Sequence, residues 1–206
     1  MSFVVAGSKI RLGFGFFAVV TLTMLLADTN IALVSLLSSC LHEVGHLIFL
    51  ALFGEKPKSV EFGAFGIRIT RQNINKLSNL KETVVLLAGP SVNLTLAFIL
   101  HLLHKRTGSQ ILYAGVAVNL VLAIFNLLPF EVLDGGRALE CLISNFASES
   151  LISKIMCATS YLTVAFLCVV GVYLYINVGF GLSFIAVTLY LVGILLISAF
   201  KRKFKG

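Results

Sequence analysis

Apolar runs of 18 or more residues recur along this chain, each long enough to cross the roughly 30 Å hydrocarbon core of a bilayer as a helix. Backbone that crosses lipid must satisfy its own hydrogen bonds, and a helix does so within one segment. Composition agrees: of 206 residues, 58% are hydrophobic and only 12% charged. That argues against a water-soluble globular enzyme and against a disordered chain. The fold class expected is an all-α polytopic membrane protein. It has about six transmembrane helices, near 10–27, 31–53, 83–104, 110–130, 155–176 and 178–200. The short first run follows Lys9 and Arg11. A signal peptide would look similar, but Leu25-Leu26-Ala27 is a poor cleavage site, so the run is read as a retained helix.

The net charge of +7 belongs to the cytoplasmic loops and gives no sign of nucleic acid as a partner. With the N-terminus inside, only Lys105 and Arg106 fall on outer segments, and the other fourteen Lys and Arg are inner. Both termini are therefore expected in the cytoplasm. The outer connections 28–30, 105–109 and Asn177 are short. Cys40, Cys141, Cys157 and Cys168 form no C-x-x-C pair and read as small buried hydrophobes.

Two inner segments are longer. In 54–82, Val60, Phe62, Ile67 and Ile69 alternate with Ser59, Glu61, Arg68 and Thr70 around Gly63-Ala64-Phe65-Gly66. Period-two apolar residues about a glycine-containing turn predict a small membrane-associated β-hairpin between the second and third spans. Residues 137–154 carry Leu139, Leu142, Ile143 and Phe146 at helical spacing, which predicts an amphipathic helix at the inner surface.

The second span contains Cys40-Leu41-His42-Glu43-Val44-Gly45-His46-Leu47. Three ionisable groups inside an apolar run are costly and need partners. His42 and His46 are four apart and share one helical face, so both imidazoles can bind one metal ion. Glu43 lies about 100° around the helix, where it can hold a water against the ion without binding the ion itself. The spelling is H-E-x-x-H, the zinc metallopeptidase motif. The alternative is a buried polar cluster that ties helices together, which Ser, Thr or Asn would do at lower cost.

A catalytic zinc takes three protein ligands and keeps one position open. The chain has two Asp, Asp28 and Asp134. The fourth span delivers Asp134 to the inner side, where His42 and His46 lie, whereas Asp28 is roughly 20 Å of helix away. Asp134 is the expected third ligand, and Glu131 is its rival. His101 and His104 end the third span on the outer side and read as interfacial residues. Asn93 or Asn126 are candidates to support an oxyanion.

These residues resemble the site-2 protease family of intramembrane zinc metallopeptidases, peptidase family M50. Three motifs match in order: His42-Glu43-Val44-Gly45-His46, Gly89-Pro90-Ser91-Val92-Asn93, and the N-x-x-P-x(4)-D-G stretch from Asn126 to Gly135. The similarity covers about 31–137. The compact layout also resembles the branch containing the sporulation protease that processes a pro-sigma factor. The resemblance implies one Zn2+ per chain held by His42, His46 and Asp134, with Glu43 as catalytic acid/base and Asn93, Asn126 and Pro129 near the site. Glu131 stands where many members carry a second Pro.

One membrane metalloprotease domain is expected over 1–206, with its core at 31–137 and C-terminal helices at 155–200, and with no PDZ or nucleotide-sensing domain. Its expected substrate is a membrane-associated protein, such as a pro-sigma or anti-sigma factor, and regulatory membrane proteins are expected partners. The active site is expected to open to the cytoplasm. The hairpin, through Phe62, Gly63, Phe65 and Gly66, is expected to present the substrate as an added strand. The alternative function is a non-catalytic metal-binding or metal-transporting membrane protein. A transporter should carry acidic or His residues through several spans, and the fifth and sixth have none.

Overall fold

The computed structural model describes residues 2–5, 8–12, 28–55, 57–63, 66–71, 77–178, 188–195 and 197. It forms two compact units, Met1–Leu127 and Leu128–Gly206.

Three helices make up most of the first unit. Helix α1 (Thr29–Leu52) starts at Asp28, whose carboxylate accepts from the backbone N–H of Asn30 and Ile31 at 2.9 and 3.3 Å. That bond satisfies donors left over at a helix start. Helix α2 (Asn79–Thr107) is capped by the Ser78 hydroxyl and ends at Gly108. Gly108 has φ +67, a left-handed conformation that glycine adopts without strain, and its N–H bonds back to His104 O at 2.8 Å. Helix α3 (Gln110–Leu127) follows directly. Each of the three packs against the other two.

The buried stripe of α1 is Ala32, Ser38, His42, Gly45, His46 and Leu50, and that of α3 is Gly115, Asn119 and Ala123. Small residues at these positions let backbones approach closely. A Cβ on Gly45 would meet Val92 Cγ2 at 2.9 Å, and one on Gly115 would meet Leu100 Cδ1 at 3.0 Å. Polar side chains are buried here, while Leu37, Leu52, Phe98 and Val121 stand exposed. This inverts the pattern of a water-soluble domain and suits a lipid solvent.

The same unit holds a four-stranded sheet in the order β1 (Ser2–Val5), β2 (Ser8–Leu12), β3 (Pro57–Gly63), β4 (Gly66–Arg71). Strands β3 and β4 pair antiparallel, with Phe62 opposite Ile67 and Gly63 opposite Gly66. Strand β2 pairs with β1 antiparallel and with β3 in parallel. Two corrections follow. Residues 10–12, expected to open the first span, belong to a strand: Ile10 and Leu12 alternate with Lys9 and Arg11, a period of two, and both neighbouring strands supply ladder partners. Strand β3 is interior to the sheet, so its 60–62 stretch offers no edge. Residues 13–27, the rest of that span, lie outside the described residues, as do Ala64 and Phe65 at the hairpin tip.

The second unit contains helix α4 (Asp134–Ile143) and helix α5 (Glu149–Val178). The expected amphipathic helix over 137–154 is corrected: it breaks at residues 144–148, and Phe146 stands 93% exposed in the turn. Ser144 and Asn145 there bond to the carbonyls of Cys141 and Leu142, which competes with continuing the helix. Asn177, expected as a connection, lies within α5 and bonds back to Tyr173 O at 2.9 Å. Residues 188–195 and 197, within the expected sixth span, are helical. Among the described residues, four helices (α1, α2, α3 and α5) are long and apolar enough to cross a membrane.

Candidate metal centre

The centre begins with the periodicity of α1. His42 and His46 fall one turn apart and are both buried, with ring centroids 4.8 Å apart at 81°. Their Nε2 atoms lie 3.2 Å from each other. The Nδ1 atoms face away from this point. His46 Nδ1 donates to the carbonyl of Val85 at 2.7 Å, and His42 Nδ1 donates to Asn93 Oδ1 at 2.5 Å. A carbonyl oxygen can only accept, so the proton of each neutral ring is on Nδ1 and Nε2 presents its lone pair. Two lone pairs at 3.2 Å repel unless a cation lies between them. Two Zn–N bonds of ~2.0–2.1 Å whose nitrogens are 3.2 Å apart subtend an angle of about 100°, near tetrahedral. The donor chemistry and spacing of this pair therefore fit zinc, and the Nδ1 bonds are the outer-shell partners that metal-ligating histidines carry.

Helix α2 provides the wall opposite. Gly89 faces the pair, and a Cβ there would collide with Nε2 of both histidines. Pro90, one residue on, carries no N–H, so Leu86 O loses its usual helical donor.

Asn93, expected as an oxyanion donor, has another task. Its Oδ1 accepts from His42, and its Nδ2 donates to Asn119 Oδ1 at 2.8 Å and Ser38 O at 3.3 Å. Both amide hydrogens are used, so it holds the His42 ring in place. Asn126 donates to Leu122 O in its own helix at 3.0 Å. Glu43 is half-buried on α1, beside the pair in sequence but off its stripe. Asp28 is spent on its cap. His104 Nδ1 donates to Ser109 O, closing the connection between α2 and α3.

In the second unit Asp134 is the first residue of α4 and half-buried. A carboxylate at this end is favoured by the exposed N–H groups and the helix dipole. The preceding loop is fixed on α5: Glu131 N donates to the buried Ser160 hydroxyl at 3.1 Å, and Thr163 donates to Pro129 O at 3.4 Å. Phe130 is fully buried, and a Cβ on Gly136 would strike its backbone. Ser160 and Thr163 were not expected as supports. Their signal is polar residues at i and i+3 in an apolar run.

Residues 103–170 match the model of Peptidase family M50. Protein sll0528 of Synechocystis sp., whose name proposes a zinc metalloprotease, is 32% identical over 119 residues, which is 54% of this chain and 31% of that protein. Rip2 of Mycobacterium tuberculosis, named in the same way, is 29% identical over 166 residues, 64% of each chain. A solved structure, "Site-2 Protease from Methanocaldococcus jannaschii", aligns over 93% of this chain and 92% of that one with a TM-score of 0.64. At 23% identity that likeness is one of fold. The aligned stretches span between about a third and two thirds of the two curated relatives. With the apolar helices, these matches give the chain the fold of that solved membrane protein. Residues 103–170 are similar to Peptidase family M50, the whole chain shares its fold with the solved site-2 protease, and its apolar helices make it an integral membrane protein.

Proposed function

We propose that this chain is an intramembrane zinc metalloprotease that hydrolyses peptide bonds of membrane-associated protein substrates. One observation carries the reading: on an H-E-x-x-H helix, two buried Nε2 atoms stand 3.2 Å apart with both Nδ1 atoms engaged by acceptors. A catalytic zinc takes three protein ligands, and the proposal assigns them to His42, His46 and, by the N-x-x-P-x(4)-D-G resemblance, Asp134. A bound zinc supplies Lewis acidity, which brings the pKa of a water toward neutrality and polarises a carbonyl.

The remaining steps belong to the chain. Glu43 accepts the proton of the attacking water and returns it to the leaving amine. Val85 O and Asn93 hold the imidazoles so that their lone pairs converge before substrate arrives, which removes reorganisation from the reaction. The buried setting excludes bulk water and strengthens each of these interactions. No nucleophilic Ser or Cys is required. The substrate helix must open to expose its peptide bond. An unpaired strand edge can replace the backbone hydrogen bonds it loses. The membrane orientation, with the centre opening to the cytoplasm, rests on the distribution of Lys and Arg. Pro-sigma or anti-sigma factors are the substrate class proposed, with regulatory membrane proteins as further partners.

The test uses purified protein in liposomes and a single-span reporter peptide with a helix-breaking Asn-Pro in its span. Wild-type protein is expected to hold one zinc per chain and to cut the reporter. Glu43→Gln is expected to keep the zinc and lose about 10²–10⁴-fold in turnover. Zinc retained with no cleavage by the wild type would support a metal-binding protein without catalysis. Cleavage undiminished in Glu43→Gln would remove Glu43 from the mechanism.

A further inference from the structure

The bonds behind His42 form a directed series across three helices. On α3, Asn119 Nδ2 lies 2.9 Å from the carbonyl of Gly115 and 2.9 Å from the Ser38 hydroxyl. A backbone carbonyl cannot donate, so the group facing Gly115 O must be the NH2 of Asn119. Its other atom, Oδ1, is thereby an acceptor, and it lies 2.8 Å from Asn93 on α2. That contact requires the NH2 of Asn93, which leaves Asn93 Oδ1 facing His42 Nδ1 on α1. An acceptor there fixes the proton on Nδ1. Asn93 is fully buried and Asn119 nearly so, and in lipid a wrongly turned amide finds no water to relieve it.

We infer that Asn119 is a positioning residue for the metal centre: referenced to Gly115 O, it sets the orientation of the Asn93 amide and, through it, the tautomer that leaves the His42 Nε2 lone pair available to a metal ion. The inference rests on the reading of His42 and His46 as zinc ligands. Were Asn93 turned over, its NH2 would face His42 Nδ1. The ring proton would then move to Nε2, where it blocks the metal. Asn119 opposes that flip because it would set Asn93 Oδ1 against Asn119 Oδ1. The carbonyl of Ser38, at 3.3 Å from Asn93 Nδ2, opposes it as well over a longer contact. Asn119 touches neither histidine in any hydrogen bond of the series, so ligand spacing in the sequence gives no hint of it.

The experiment measures zinc affinity of the purified chain in detergent by chelator competition, together with the visible bands of the cobalt-substituted protein and helix content by circular dichroism. Asn119→Leu is expected to keep its helix content, bind zinc about 10–100-fold more weakly and alter the cobalt bands. If the Leu variant loses helix content, Asn119→Ala removes the same amide without adding a branched side chain. Rescue separates positioning from general packing. An aspartate at 93 can only accept from His42 when ionised, so it needs no reference from Asn119. Asn93→Asp combined with Asn119→Leu is therefore expected to regain most of the affinity lost in Asn119→Leu. Wild-type affinity in the folded Asn119 variants, or no gain in the double variant, overturns the inference while leaving the metal centre standing. A wild-type chain that binds no zinc overturns both.

Discussion

His42 and His46 are one helical turn apart, and everything that fits them for the proposed metal site comes from outside their own helix. Val85 O and Asn93 Oδ1 accept hydrogen bonds from their Nδ1 atoms, and Gly89 leaves the space in front of Nε2. Elsewhere in a helix Gly→Ala is favourable by about 1 kcal/mol, because glycine has more backbone freedom to lose. At Gly89 the added methyl would occupy the point on which both lone pairs converge. Gly89→Ala is therefore expected to keep helix content and lose most of its zinc by metal analysis after dialysis. One equivalent per chain in that variant would show that the cation does not sit in this space. The relative placement of the two histidines and Glu43 was legible in the sequence because it is local and follows from 3.6 residues per turn. The contacts of Gly89 and Asn93 were not. They depend on which residues meet across a helix crossing, and no spacing along one helix records that. Asn93 was expected to donate to an oxyanion, but an amide has two hydrogens and both are already engaged.

At the scale of elements, the apolar runs predicted where four helices lie, and their ends were set by caps that a hydropathy pattern does not weigh, such as Asp28 and Gly108. The sheet was legible only as a hairpin. Strand β2 is hidden in the sequence because an apolar run continues directly from the short alternation of Lys9, Ile10, Arg11 and Leu12, and its parallel pairing with β3 joins residues about fifty apart. This changes where a substrate strand can add. Of β3 and β4, only β4 has an unpaired side in this sheet. Successive residues of an edge strand turn their N–H alternately to the neighbour and away from it. Ile67 and Ile69 thus share one direction and Arg68 has the other. If substrate adds here, Pro in the class facing away should leave zinc content normal and slow reporter cleavage, whereas Pro in the other class should disturb the ladder with β3. Equal, normal cleavage by Ile67→Pro, Arg68→Pro and Ile69→Pro would refute strand addition at β4. The loop before Asp134 makes a separate case. Ser160→Ala removes the acceptor of Glu131 N and is expected to lower stability by about 1 kcal/mol, read as a lower unfolding midpoint.

For the whole molecule the question is which side of the membrane supplies water to the centre. His46 is six residues before the end of α1, or about 9 Å of helix rise from it. The centre is therefore nearer the membrane face at which α1 ends than the one at which it begins. The proposed orientation of that face rests on the Lys and Arg residues: those following α1, from Lys56 to Lys81, greatly outnumber Lys105 and Arg106 between α2 and α3. Since positive loops stay in the cytoplasm, α1 should end there and the α2–α3 connection should lie outside. The orientation can be tested with single cysteines in a background where Cys40, Cys141, Cys157 and Cys168 are replaced, using a membrane-impermeant maleimide on intact cells. Gly108→Cys, at the exposed start of the connection between α2 and α3, is expected to react without permeabilisation. Phe146→Cys, in the turn between α4 and α5, is expected to react only after it. The reverse pattern would place the histidine pair near the outer face, and the proposed cytoplasmic substrates would then have no route to it.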